Sequence, residues 1–163
     1  IYNPILALKV LKLVLKDYPK AQLSMVGPFK DDSIETCRDY AIKHKLPVKF
    51  MGKMTKAEWI AYAKDFDVFI NTTNVDNTPV SVIEAMALGL PIVTTNIGGL
   101  PFLLEDKKQA LLVNPNDKDA MTNAVLNLLQ DQNLAQKLSH NGRQLAETFD
   151  WEVVKHQWEV VLK

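Results

Sequence analysis

Apolar positions recur along this chain either at helical spacing or in short extended runs, and the switches between the two predict alternating helices and strands. Asn3 to Lys16 places Leu6, Val10, Leu13 and Val14 on one face and Lys9, Lys12 and Lys16 elsewhere, which predicts a helix. A helix flanking a sheet is the plain reading, and a membrane-surface helix is the alternative the lysines prompt. Tyr18-Pro19 ends it. Gln22 to Val26 reads as a strand closed by Gly27-Pro28. Asp31 to Lys45 reads as a second helix with Cys37 on its apolar stripe. His44 is expected to be solvated near the helix end, where a cation suits the dipole. Val48 to Met51 is the next strand. Thr55 with Glu58 forms a capping box for a helix running to Lys64, with Trp59 and Tyr62 as packing residues. Phe66 to Asn71 and Pro91 to Thr95 are strands, and Leu100 to Glu105 starts a short helix. Ala110 to Val113 is the last strand. Helices follow at Asp117 to Leu129, Asn133 to Phe149 and Trp151 to Lys163, with Trp151 and Trp158 expected to pack back on the body and His140 and Arg143 at the surface.

Strands separated by helices predict an α/β fold, a Rossmann-like parallel sheet with helices on both faces. Ligands of such sheets bind beyond the carboxyl ends of the strands. Those ends carry Gly27-Pro28, Met51-Gly52-Lys53, the stretch from Asn71 to Pro79, and Asn96 to Gly99. Gly98-Gly99 allows a close backbone approach to a ligand and equally suits a plain turn.

One stretch stands out against this pattern. A helix is expected from Thr78, as cap, to Gly89, with Pro79 at its first position. Its residues Val80, Val82, Ile83, Ala85, Met86, Ala87 and Leu88 point in nearly every direction, which predicts burial all round. Glu84 is the one charge in it. An unpaired carboxylate there would be costly, so a cation, backbone donors or a hydroxyl-bearing ligand must meet it. The neighbouring sequence offers no cation between Lys64 and Lys107. A distant Lys, Arg or backbone amide on one side and a ligand on the other remain equal alternatives. The unpartnered N–H groups at the tip of this helix, after Asp76-Asn77-Thr78, form a seat for a phosphate.

Composition narrows the class. The chain has 163 residues, a net charge of zero and a single cysteine, Cys37. That length suits one domain with a real core. The neutral balance argues against a nucleic-acid partner. The lone cysteine rules out an internal disulfide framework and fits a reducing, cytoplasmic setting. No apolar run reaches the length of a membrane span.

Asp76, seven residues, and then Glu84-Ala-Met-Ala-x-Gly-x-Pro resembles the acid, seven residues, Glu-Ala motif of retaining glycosyltransferases of the GT-B fold, family four. The family's first acid is usually Glu, and its Phe-Gly-Leu is Thr78-Pro79-Val80 here. The resemblance covers almost the whole chain. It implies that residues 1–163 are the donor-binding C-terminal domain of a GT-B enzyme, with the acceptor-binding N-terminal domain outside this chain. It implies that Asp76, Asn77, Thr78, Pro79 and Val80 meet the donor sugar and phosphates. Glu84 would bind the ribose, with Gly27, Phe50 and Met51 near the nucleotide. No catalytic nucleophile is identified, and Asp76 would act as a base only with a shifted pKa. The donor would be a UDP-, GDP- or ADP-sugar, with no metal ion required. The acceptor would be a glycan or a lipid-linked glycan, and the parent enzyme would contact the inner face of the membrane. The family's domain opens with a strand whose following loop carries an Arg and a Lys for the diphosphate. That strand has no counterpart here, so the fragment alone is expected to be inactive, with Lys30 or Lys53 leaving some phosphate attraction. Two other readings are weighed: half of a nucleotide-sugar epimerase, and a non-enzymatic doubly wound binding module.

Overall fold

Helices and strands alternate in the predicted order: α1 (Pro4–Val14), β1 (Leu23–Val26), α2 (Ser33–His44), β2 (Val48–Gly52), α3 (Lys56–Ala63), β3 (Phe69–Asn71), α4 (Val80–Ala87), β4 (Ile92–Thr95), α5 (Leu100–Leu103), β5 (Leu111–Val113), α6 (Lys118–Gln130), α7 (Gln132–Glu147) and α8 (Trp151–Val161). This is a computed structural model, and it describes residues 2–28 and 32–162. The expected helix start at Asp31, and Lys30, lie outside the described residues.

Every strand pairing is parallel, β1 with β2, β3 with β4 and β4 with β5. The strands make two sheets instead of the single expected one, in the orders β1-β2 and β3-β4-β5. All four residues of β4 are buried. A strand covered by helices on both faces must be apolar or hydrogen-bonded on both. Val93 faces a core built with α1 and α6, and Ile92 faces the opposite core with α3, α4 and α5. A third cluster joins Leu8 of α1 to Cys37 and Ala41 of α2. Cys37 is thus a core residue, as its stripe predicts. Helix α1 packs against both α2 and α6 and so bridges the two sheets. That burial excludes the membrane-surface reading of its lysine-bearing sequence.

Local signals place several helix ends. Thr55 and Glu58 form the expected capping box, and Asp117, Asp131 and Asp150 each accept a backbone N–H as caps. Helix α4 differs from expectation at its start. Its cap is Pro79, in an extended conformation, and Thr78 lies outside with no capping bond. Nor is α4 buried all round. Val82, Ala85 and Met86 are buried, whereas Val80 is 62% exposed. The helix packs on one side against α7 and β4 and leaves the other to solvent. Gly89 stops it at φ +75°, and its carbonyl accepts from Ser139 Oγ of α7.

Two expectations at the surface are corrected. Trp151 and Trp158 do not pack back on the body, being 64% and 55% exposed. No described residue of α8 belongs to a core cluster, because no core faces that helix. His44 is not a favourable cation at a helix end. Its Nδ1 lies 3.2 Å from Lys12 Nζ of α1. Partial desolvation, then the Lys12 and Lys43 ammonium groups, hold its pKa below the ordinary histidine value. A depressed folded pKa means that the unfolded chain binds more protons in that window. The stabilising contribution of neutral His44 is therefore present above the ordinary value and lost as pH falls through the folded one. Titration of His44 by NMR is expected to show the low midpoint, and Lys12→Ala to raise it; an unchanged midpoint in the variant would remove Lys12 as a cause.

Candidate functional site

Parallel strands put all their carboxyl ends on one edge. There the Gly27 N–H donates to the Gly52 carbonyl at 2.8 Å, tying the ends of β1 and β2 together. The loop after β3 is held by side chains. Asn71 Oδ1 accepts from the Thr73 N–H at 3.1 Å, and Thr73 Oγ1 donates to the Val75 carbonyl at 2.9 Å. Thr95, at the end of β4, donates from Oγ1 to the Thr73 carbonyl at 2.7 Å. Thr73 and Thr95 are buried, so these bonds form away from competing water. Asp76 then turns the chain, its Oδ1 accepting from the Asn77 N–H at 2.8 Å.

The loop after β4 closes against this turn. The Gly99 N–H donates to the Asp76 carbonyl at 3.1 Å. A Cβ at Gly99 would stand 1.7 Å from the Asn77 carbonyl oxygen, and one at Gly98 would stand 1.9 Å from that of Asp76. Gly98 also has φ +59°. The glycine pair therefore serves a close backbone approach between loops.

Glu84 lies in the second turn of α4, behind that loop. Its Oε1 is 3.0 Å from Lys56 Nζ, the first residue of α3. The alternative of a distant basic side chain is thus met: Lys56 is remote in sequence yet adjacent in space. The pair is not an internal one: the Lys56 side chain is 82% exposed and that of Glu84 29%. An ion pair this open is worth about 0–1 kcal/mol and is easily exchanged for another partner. At the tip of α4 no side chain caps the first turn, and Val80 and Ser81 are exposed.

A cleft of about 620 Å³ runs from the edge of β1 across to β3 and reaches Lys56, Ser81 and Glu84. Asp76, Asn77, Thr78 and Pro79 lie outside its lining, and so do Gly27, Phe50 and Met51. Asp76 to Val80 and Glu84 are brought together by chain continuity across the tip of α4. Gly27 lies on the same strand-end edge. The Phe50 ring packs on the cluster with Cys37 and Ala41, with the Arg38 guanidinium 5.9 Å from its centre. Met51 is exposed. Lys53 is exposed at the end of β2.

Lys56 and the Asn71–Thr73–Thr95 bonding were not singled out from sequence. Lys56 had a readable signal. Its helix starts directly after a strand end, so its first turn must share an edge with the tip of α4. The threonine bonds had none, since they join residues whose distance only the sheet register sets. Among the described residues, no three of His, Cys, Asp and Glu converge as a metal-binding group. Among them, too, no helix is long and apolar enough to cross a membrane.

Comparison with known proteins extends this picture. The family described as "Glycosyl transferases group 1" matches residues 2–145. Sulfoquinovosyl transferase of Arabidopsis thaliana is 27% identical over 150 residues, covering 89% of this chain and 28% of that protein. Sucrose-phosphate synthase from Thermosynechococcus elongatus superposes with a TM-score of 0.82 at 26% identity, over 94% of this chain and 41% of that one. HepE from Anabaena, solved with UDP-glucose, superposes with a TM-score of 0.84 at 21% identity, over 98% of this chain and 46% of that one. The chain thus spans less than half the length of these proteins. Their likeness extends to the parallel strands flanked by helices described above, and with the family match over residues 2–145 it has one conclusion: this chain belongs to the group 1 glycosyl transferases, with the architecture of a GT-B domain.

Proposed function

We propose that this chain is the donor-binding domain of a retaining glycosyltransferase that moves a hexose-type sugar from a nucleoside diphosphate to a glycan or lipid-linked acceptor. One observation carries the proposal. A carboxylate, Glu84, opens on a cleft one turn behind an uncapped helix tip, held among the described residues by a solvent-exposed lysine. Val80 and Glu84 are four residues apart, which is about 6 Å along a helix axis. A nucleoside diphosphate offers ribose hydroxyls and phosphate oxygens that such a pair of sites can meet together. In this reading Glu84 accepts hydrogen bonds from the ribose, and the first N–H groups of α4 face the diphosphate. Asp76 and the backbone through Val80 hold the donor sugar, and Gly27, Phe50 and Met51 flank the nucleotide with backbone groups.

The bond that breaks joins the anomeric carbon to a phosphate oxygen, and negative charge grows on the leaving diphosphate. Fixed N–H dipoles aimed there stabilise that charge without reorganising. The bond that forms comes from an acceptor hydroxyl, whose proton passes to the leaving diphosphate as its negative charge grows. No side chain of this domain is placed as a nucleophile, and the domain's share is positioning and leaving-group stabilisation. The acceptor is bound by a further domain, so this chain alone is inactive in this reading. UDP-glucose in HepE supports a UDP-sugar as the first donor to try.

Thermal melting with UDP, GDP and ADP tests the proposal. A ligand at a hundred times its Kd stabilises by about 2.7 kcal/mol. In a domain of this size that raises Tm by roughly 5–10 °C. One of the three is expected to do so. A flat response to all of them, and to their sugar conjugates, would overturn the donor-site reading.

A further inference from the structure

We propose that Phe102 is the platform for the donor hexose, taking the apolar C–H face of the sugar ring while Asp76 accepts from a hydroxyl at its rim. The inference rests on the donor-site reading and names the sugar-binding surface within it.

Phe102 is 93% exposed, the highest value of any large apolar side chain among the described residues. Apolar side chains scattered singly over a surface call for no account. This one has company. Val75 and Val80, at either end of the Asp76 turn, are exposed as well. Phe102 is tied to the same turn through Gly99. The Gly99 N–H donates to the Asp76 carbonyl, and the Phe102 N–H donates to the Gly99 carbonyl, each at 3.1 Å. Three residues separate Gly99 from Phe102, about 5 Å along a helix axis. The short helix that carries the ring is firmly seated. Leu100 and Leu104 are buried in the core shared with α4, and Leu103 packs against it. Those three share one face of a helical turn, which leaves Phe102 on the opposite face.

Asp76 supplies a polar group beside these apolar ones. Its Oδ1 is taken by the Asn77 N–H at 2.8 Å, and Oδ2 has no protein partner among the described residues. One free carboxylate oxygen reads a hydroxyl and does little to hold a whole ring. A pyranose carries hydroxyls around its rim and C–H groups on its faces. Ligand sites meet such molecules with aromatic and apolar surface and a few placed polar groups. A nucleobase also stacks on aromatic rings, but the topology separates it from Phe102. Glu84 and the cleft lie toward the free edge of β3, whereas Phe102 follows β4, on the other side of β3. With the ribose at Glu84, the ring is on the hexose side of the diphosphate.

Titration calorimetry with UDP, GDP and ADP, and with their glucose conjugates, is run on the parent chain, Phe102→Ala and Phe102→Trp. Phe102→Ala is expected to weaken the sugar conjugate about three- to tenfold, the scale of one aromatic contact, and to leave the free diphosphate within about twofold. Phe102→Trp keeps an aromatic face and is expected to bind both ligands as the parent does. Both variants are expected to melt with the parent, since so exposed a side chain contributes little packing. Saturation of the Phe102 ring protons by NMR is expected to transfer to the hexose protons of the bound conjugate. Parental affinity for the conjugate in Phe102→Ala would overturn the proposal. So would equal weakening of conjugate and free diphosphate, which would place the ring on the nucleotide. In both of those outcomes the diphosphate still binds the parent, so the donor-site reading stands. A parent chain that binds no diphosphate and no conjugate would sink that reading and this inference together.

Discussion

Gly99→Ala is expected to lower Tm by roughly 3–10 °C and to weaken binding of a nucleotide sugar. The added methyl would stand 1.7 Å from the Asn77 carbonyl oxygen and 2.7 Å from its carbon. Both are backbone atoms, so no side chain can swing aside. The loops after β3 and β4 must part, and the bond from the Gly99 N–H to the Asp76 carbonyl is lost with them. Overpacking of this kind costs about 1–3 kcal/mol. The cost reaches further than the loop, because Gly99 caps α5 and Leu100 beside it is fully buried. Gly142→Ala is the matched control. Its methyl would meet Met86 Cγ at 3.3 Å, a flexible side chain, and alanine is the better helix former. Its Tm is expected to stay near that of the parent. Melting curves for both, with nucleotide-sugar titrations by calorimetry, decide the matter. A Gly99→Ala protein with parental Tm and affinity would show that the loops need no such contact.

Glu84→Gln is expected to weaken nucleoside diphosphate binding about ten- to a hundred-fold while leaving Tm without ligand nearly unchanged. The amide keeps the shape of the carboxylate and removes its charge. Hydrogen bonds to a charged acceptor are worth about 1.5–3 kcal/mol, which converts to that range of Kd. Folding loses only an open ion pair with Lys56. Lys56→Ala separates the two roles of the carboxylate. If Lys56 only occupies Glu84 until a ribose arrives, its removal leaves Kd within about threefold. Calorimetric titration of the three proteins is the measurement. Parental affinity in Glu84→Gln would remove this carboxylate from the donor site.

Much of the architecture was readable in order. β4 and α6 announce themselves by period, and the caps at Thr55, Asp117 and Asp150 by residue type. Such signals are local: a strand covered on both faces has no polar position to spare, and a cap needs only its own turn. The start of α4 was less readable, because Thr78 suits a cap and Pro79 a first helical position, yet Pro79 itself takes the cap in an extended conformation. The tryptophans of α8 misled for a different reason. An apolar residue at helical spacing states that a face wants covering and does not state that anything covers it.

By itself the sequence determined the succession of elements, the edge on which the loops after the strands gather, and the acid spacing from Asp76 to Glu84. Each follows from backbone periodicity and from residues within a few turns of one another. The tertiary structure alone decided that Glu84 meets Lys56, that Phe50 packs with Cys37 and Ala41, that Gly98 and Gly99 clasp the Asp76 turn, and that the strands divide between β1 and β3. Those depend on sheet register and on the packing of distant segments, which no local pattern along the chain encodes.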